Sequence, residues 1–143
     1  MASKINGADG SSDDAIIDME TFNQLLEIDD DDSRDFSKGL AQQYVDQATS
    51  TFAEMDEALE QKDLDRLSKL GHFLKGSSSS VGLASVSKLC ALMQNYGNEK
   101  DDSGTGSISK EDALVKCRDL LPELKVEQGR AKKWLEQFYK ETW

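Results

Sequence analysis

The sequence predicts an all-α protein, an antiparallel up-and-down four-helix bundle with a short additional N-terminal helix, and three observations carry that expectation. Apolar residues recur at spacings of three and four along four long segments, the connections between most of them are short, and no stretch alternates as a half-buried strand would. At 143 residues the chain can build one hydrophobic core and is too short for two ordinary domains. Residues 15–143 therefore form one predicted domain, behind a tail, 1–14, that is rich in Ser, Gly, Asp and Ala and has no apolar period.

The first helix is expected from Ile16 to Ile28, on Ile17, Phe22, Leu25, Leu26 and Ile28. The run Asp29 to Asp32 ends it, because adjacent like charges at a helix C-terminus oppose the macrodipole and one another. That run is expected to be a solvated acidic turn with Ser33 as the next N-cap, the alternative being a charge patch facing a partner. A calcium loop begun at Asp29 would need glycine and glutamate where the chain has Arg34 and Leu40.

The second helix runs from Asp35 to Glu60, with Phe36, Leu40, Tyr44, Ala48, Phe52, Met55 and Leu59 as its core stripe. Asp63 can cap a third helix from Leu64 to Ser80, and Gly82 marks the turn into a fourth, Leu83 to Tyr96, buried on Val86, Leu89, Cys90 and Met93. The segment 97–107 has no apolar residue and is expected to be an exposed loop tolerant of length changes. Ser109 and Asp112 open the last helical segment, whose inner positions include Leu114, Cys117, Leu121, Leu124, Gln128, Ala131, Leu135 and Phe138. Pro122 should kink or split it.

The formal charge of −11, with no Lys/Arg cluster to offset it, argues against nucleic acid and anionic membrane as partners. No signal peptide or membrane span is visible, so the chain is expected in the cytoplasm, with the nucleus as a second compartment. Cys90 and Cys117 lack the close spacing of a zinc or redox pair and are expected to be reduced packing residues.

The one histidine, His72, stands in Gly71-His72-Phe73-Leu74-Lys75-Gly76-Ser77-Ser78. With Leu67 at zero on a helical wheel, Leu64, Leu70, Leu74 and Val81 fall near about 60°, 300°, 340° and 320° and form the core arc. His72 lies near about 140°, with Ser79, Gly76 and Lys75 near 120°, 180° and 80°, so the imidazole faces away from the core. Gly76 removes a side chain beside it at a helix cost of roughly 0.8–1 kcal/mol relative to alanine, which asks for close approach by something else. An unprotonated imidazole is a competent nucleophile at neutral pH, and Lys75 can bring an ammonium to an anion held there. No Ser/His/Asp or Cys/His system is supported. The run Ser77 to Ser80 continues the helix as small residues that allow close packing, their hydroxyls bonding backbone carbonyls.

The segment His72-Phe73-Leu74-Lys75-Gly76-Ser77-Ser78 resembles the signature of histidine-containing phosphotransfer (HPt) proteins. Asp29 to Ser33, Asp35 to Leu40 and Gln94-Asn95-Tyr96-Gly97 resemble the fungal branch of that family, the phosphorelay intermediates of osmotic and oxidative stress signalling. The resemblance implies that His72 accepts a phosphoryl group from a receiver-domain aspartate of a hybrid sensor histidine kinase and passes it to a response-regulator aspartate. It implies that Lys75 steadies the phosphoryl group, Gly76 admits the receiver, Gln94 hydrogen-bonds near the imidazole and Ser77 assists. Leu25, Ile28, Leu40 and Phe73 become candidates for receiver docking, with core packing as their alternative role. The resemblance further implies a monomer with no cofactor of its own, magnesium residing in the receiver. Lacking a Gly-rich nucleotide site, the chain is expected to be a stoichiometric carrier without ATP-dependent autokinase activity.

One departure stands out: related proteins often place a basic residue where this chain has Asn98-Glu99, so a second basic phosphate contact is missing from the pattern. Two other readings are a non-catalytic helical adaptor that docks receiver domains and a fragment of a sensor kinase's dimerisation domain. The second fits poorly, because Phe73 follows the histidine where those proteins usually place an acid.

Overall fold

Hydrophobic periodicity and caps at the expected positions generate five helices in the computed structural model, which describes residues 16–29 and 33–143. They are α1 (Met19–Leu26), α2 (Asp35–Glu60), α3 (Leu64–Ser80), α4 (Ala84–Gly97) and α5 (Lys110–Tyr139). Among the described residues there is no β-strand, only an isolated bridge between Lys100 and Ser107. Helices α2 to α5 each pack on their sequence neighbour and α5 closes on α2, the topology of an up-and-down bundle. The expected tail 1–14 and Asp30 to Asp32 lie outside the described residues.

Caps set several boundaries. The Asp18 carboxylate accepts from the Glu20 and Thr21 amides, so α1 starts later than Ile16. Asp63 accepts from the Arg66 amide and Ser109 from Asp112, both as the sequence predicts. At α2 the cap differs from expectation. Arg34 occupies the N-cap in the left-handed region, Ser33 sits 3.4 Å from the Asp35 amide, and the Asp29 carboxylate reaches across the turn to the Ser37 amide at 2.8 Å and its hydroxyl at 2.7 Å. Part of the acidic run is thus a structural clamp. Tyr139 at the end of α5 donates to the same hydroxyl at 2.8 Å.

The α2 stripe also shifts at its start. Ser37 and Ala41 are buried, whereas Phe36 is 51% exposed and Leu40 half-buried. The Ser37 network rotates that turn, since burying Ser37 with its partners turns Phe36 outward. Leu59 and Leu89 are likewise half-buried. Pro122 neither splits nor ends α5, which is continuous through it. The proline is exposed, where the carbonyl deprived of its helix bond can meet water.

Helix α1 is held at both ends. The Asp18 amide donates to the Gly82 carbonyl at 2.7 Å, and Gly82, at φ +79°, sits so close that a Cβ would meet Asp18 O at 3.0 Å. Phe22, fully buried, takes the edges of Trp134 and Phe138 at centroid distances of 5.1 and 5.0 Å. Within the bundle, the buried Tyr44 hydroxyl donates to Gln128 Oε1 at 2.6 Å, explaining a polar residue on the apolar stripe of α5.

The connection after α4 is more ordered than expected. The Asp101 carboxylate accepts from the amides of Ser103 and Thr105, Asp102 accepts from the Tyr96 hydroxyl at 2.6 Å, and the Asn95 side chain donates to the Asp102 carbonyl. Its first residue, Gly97, belongs to α4 and is buried.

Cys90 and Cys117 are buried, and burial pushes each thiol from 9.0 up to about 12. The folded protein is expected to resist a thiol reagent at pH 8 and to react fully once urea unfolds it. Both thiols hold their protons more tightly when folded, so their contribution to stability is intact below about pH 9 and should be lost as pH rises through about 12 in alkaline melts.

Candidate functional site

Small residues bring α3 and α4 together. A Cβ on Gly71 would lie 2.9 Å from the Gln94 amide nitrogen and 3.0 Å from the Cys90 carbonyl oxygen; one on Gly97 would lie 2.5 Å from the Ser68 amide nitrogen. The two backbones therefore touch, antiparallel, at both sites. The intervening face of α3 carries Ser68, His72, Lys75 and Ser79 at helical spacing, and that of α4 carries Ser87, Ala91, Gln94 and Asn98.

Hydroxyls tie the ends of these two rows. Ser68 Oγ donates to Asn98 Oδ1 at 2.8 Å, and the Ser79 and Ser87 hydroxyls bond at 2.6 Å. His72 stands exposed between the two ties. Among the described residues no hydrogen bond or ion pair engages its imidazole, and none pairs the Lys75 ammonium, although nearby Lys69 is paired with Asp65. Helical side chains lean toward the N-terminus, so Lys75 tilts back toward His72. Ser78, fully buried, bonds the Leu74 carbonyl at 2.7 Å, which accommodates the serine run within the helix as the sequence predicts.

The other expected residues divide. Gly76 is exposed, with nothing within 4 Å of where a Cβ would be, so no internal contact requires glycine there. Gln94 lies beside Gly71 on α4, half-buried, and its side chain makes no hydrogen bond to the imidazole. Ser77 is half-buried and lines a groove of about 340 Å³ with Leu25, Ile28, Leu40, Tyr44 and Val81. Ile28 is 56% exposed and Phe73 49%, whereas Leu25 is only 7% exposed and packs into the core while it also lines that groove. Phe73 opens onto a second groove beside the first, both sharing Gln43 and Gln47 of α2.

Two features escaped the sequence. The exposure of Phe36 was hidden because it fits the same period as the core stripe; the buried small residues Ser37 and Ala41 formed a competing row. The Ser68–Asn98 tie joins residues 30 apart and leaves no local pattern. Among the described residues no group of three or more His, Cys, Asp or Glu could hold a metal ion. No described helix is long and apolar enough to cross a membrane.

With this geometry in view, comparison with known proteins is decisive: the Hpt domain profile matches residues 39–127. The chain belongs to the Hpt domain family. It is 46% identical over 103 residues to Multistep phosphorelay regulator 1 of Schizosaccharomyces pombe, covering 72% of this chain and 35% of that protein. It is 47% identical over 87 residues to Phosphorelay intermediate protein YPD1 of Saccharomyces cerevisiae, covering 60% of this chain and 52% of that one. The match thus spans about a third and about half the length of these relatives. The crystal structure of the yeast phosphorelay protein YPD1 superposes with a TM-score of 0.77 at 31% identity, over 90% of this Hpt chain and 97% of that one. A co-crystal structure of S. cerevisiae Ypd1 with the receiver domain of its downstream response regulator Ssk1 matches at 34% identity and a TM-score of 0.77, over 88% and 95% of the two chains.

The glycines of this Hpt domain should separate by role. Gly97→Ala is expected to lose about 1–3 kcal/mol in urea unfolding, because its methyl enters the Ser68 backbone. Gly76→Ala is expected to gain roughly 0.5–1 kcal/mol, because the methyl enters open space and removes the helix cost of glycine.

Proposed function

We propose that this chain is a histidine phosphotransfer intermediate of a multistep His-Asp phosphorelay, and the observation that carries the reading is the exposed, unengaged His72 beside the open surface at Gly76. Its membership of the Hpt domain family and its likeness to YPD1 support the same reading. The partners are receiver domains, of a hybrid sensor histidine kinase upstream and of response regulators downstream; the Ypd1–Ssk1 co-crystal supports the second class.

In the accepting step an unprotonated imidazole nitrogen of His72 attacks the phosphorus of a receiver aspartyl phosphate. The new N–P bond forms as the P–O bond to the aspartate breaks, and the carboxylate leaves with the electron pair. The donating step is the reverse, with a regulator aspartate as nucleophile. Lys75 supplies a positive charge to offset the negative charge spread over the equatorial oxygens of the transferring group. Gly76 lets the receiver backbone approach, while Ser77 with Ile28, Leu40 and Phe73 offers a docking rim along α1 to α3. Gln94 is assigned to orient the imidazole from α4. The chain acts as a stoichiometric carrier without autokinase activity, monomeric, in the cytoplasm and the nucleus, and magnesium belongs to the receiver.

Phosphoryl transfer from a phosphorylated fungal receiver domain, followed by intact mass under non-acidic conditions, tests the proposal. Wild type should gain one phosphoryl group and His72→Gln none. Gly76→Gln should slow transfer at least about tenfold without loss of stability, since misplacing the reactants by about an ångström has that effect. Retained receiver binding with no transfer to wild type would point instead to an adaptor.

A further inference from the structure

A phosphoryl group on His72 calls for hydrogen-bond donors on more than one side, and of the two lysines three residues from it Lys69 is paired with Asp65, which leaves Lys75. The structure supplies a second donor from α4. Asn98, the C-cap of that helix, accepts from Ser68 Oγ through Oδ1 at 2.8 Å. With Oδ1 committed, the amide is fixed in orientation and Nδ2 presents its two N–H donors away from Ser68. Among the described residues no acceptor engages them.

Ser68 stands one turn before His72, about 6 Å along the axis and about 40° around it. A helical side chain covers the turn N-terminal to its own Cα, so the imidazole leans over the turn where Asn98 is tied. The Gly97 backbone, pressed against Ser68, keeps Asn98 close to α3. A donor is also needed there on electrostatic grounds. Helix α4 ends at Gly97, and a helix C-terminus carries partial negative charge that would repel a phosphoryl group.

We infer that Asn98, oriented by Ser68, donates through Nδ2 to the phosphoryl group carried on His72, opposite Lys75, so that a neutral amide takes the place of a second cation. Asn98 touches the transferred group, and Ser68 acts through it as a positioning residue. The inference rests on the phosphocarrier reading above.

The test is the lifetime of phosphohistidine in the full chain at pH 8, after loading with phosphoramidate, read by intact mass and phosphorus NMR. Asn98→Ala should shorten the lifetime roughly three- to tenfold, the effect of losing one ordinary hydrogen bond. Asn98→Asp keeps the acceptor for Ser68 but replaces the Nδ2 donors by an oxygen, and should shorten the lifetime further. Ser68→Ala should have a smaller effect and add nothing to Asn98→Ala. In wild type the Asn98 side-chain amide resonances should shift on phosphorylation, a signature that a purely structural tie would not produce. Unchanged lifetimes in Asn98→Ala and Asn98→Asp, with wild type loading and passing its phosphoryl group to a receiver, would overturn this inference alone. Failure of wild type to load His72 or to pass the group on would overturn the carrier reading and this inference with it.

Discussion

The contact between the α3 and α4 backbones at Gly71 and Gly97 is the constraint on which the rest depends. At ordinary interhelical distances of about 8–10 Å, side chains separate two helices and a residue on the outer shoulder of one is remote from the other. Here a Cβ at either glycine would overlap backbone atoms of the partner. The outer shoulders merge into one surface as a result, and Lys75, His72, Gln94 and Asn98 occupy a common face although they come from two helices. The buried Leu67, Leu74, Cys90 and Met93 support that face from within. That face is positioned by what lies under it, and it needs few bonds of its own.

A second set of contacts fixes α1, which is too short to be stable alone. The Gly82 turn receives its N-terminus, the aromatic group of Phe22, Trp134 and Phe138 receives its face, and the Asp29–Ser37–Tyr139 network secures the chain beyond its end. These anchors come from α2, α5 and the α3–α4 turn, so α1 is placed by the whole bundle. Its position sets one wall of the groove beside Ser77. The apolar rim beside Ser77 is thus built into the fold itself.

Much of this was legible in the sequence because its signals are local. Helical periodicity located all five helices, Asp63 and Ser109 marked two starts, and the wheel placed His72 outside the core. Where the reading missed, the deciding interaction lay far along the chain. Ser37 is buried because Asp29 and Tyr139 satisfy its hydroxyl, and that burial turns Phe36 outward against the apolar count. Leu25 fits both a core and a groove role by spacing, and in the fold it is buried while lining the groove beside Ser77. The loop after α4 looked featureless because its order comes from Asp101 and Asp102 bonding neighbouring backbone and Tyr96, with no apolar residue to announce it.

The site's economy of internal bonds suits the proposed carrier role. A side chain already engaged within the protein would have to exchange that bond on accepting a group and again on releasing it, adding a barrier in each direction. Among the described residues nothing bonds to the His72 imidazole or the Lys75 ammonium, and Gly76 leaves their flank open. The tied residues, Ser79 with Ser87 and Ser68 with Asn98, flank His72 instead of engaging it. In the proposed transfer, preorganised neighbours around an unengaged imidazole reduce reorganisation, which is where electrostatic stabilisation is most effective. The helix cost of glycine at position 76, about 1 kcal/mol, is borne by an element whose stability comes from its close contact with α4.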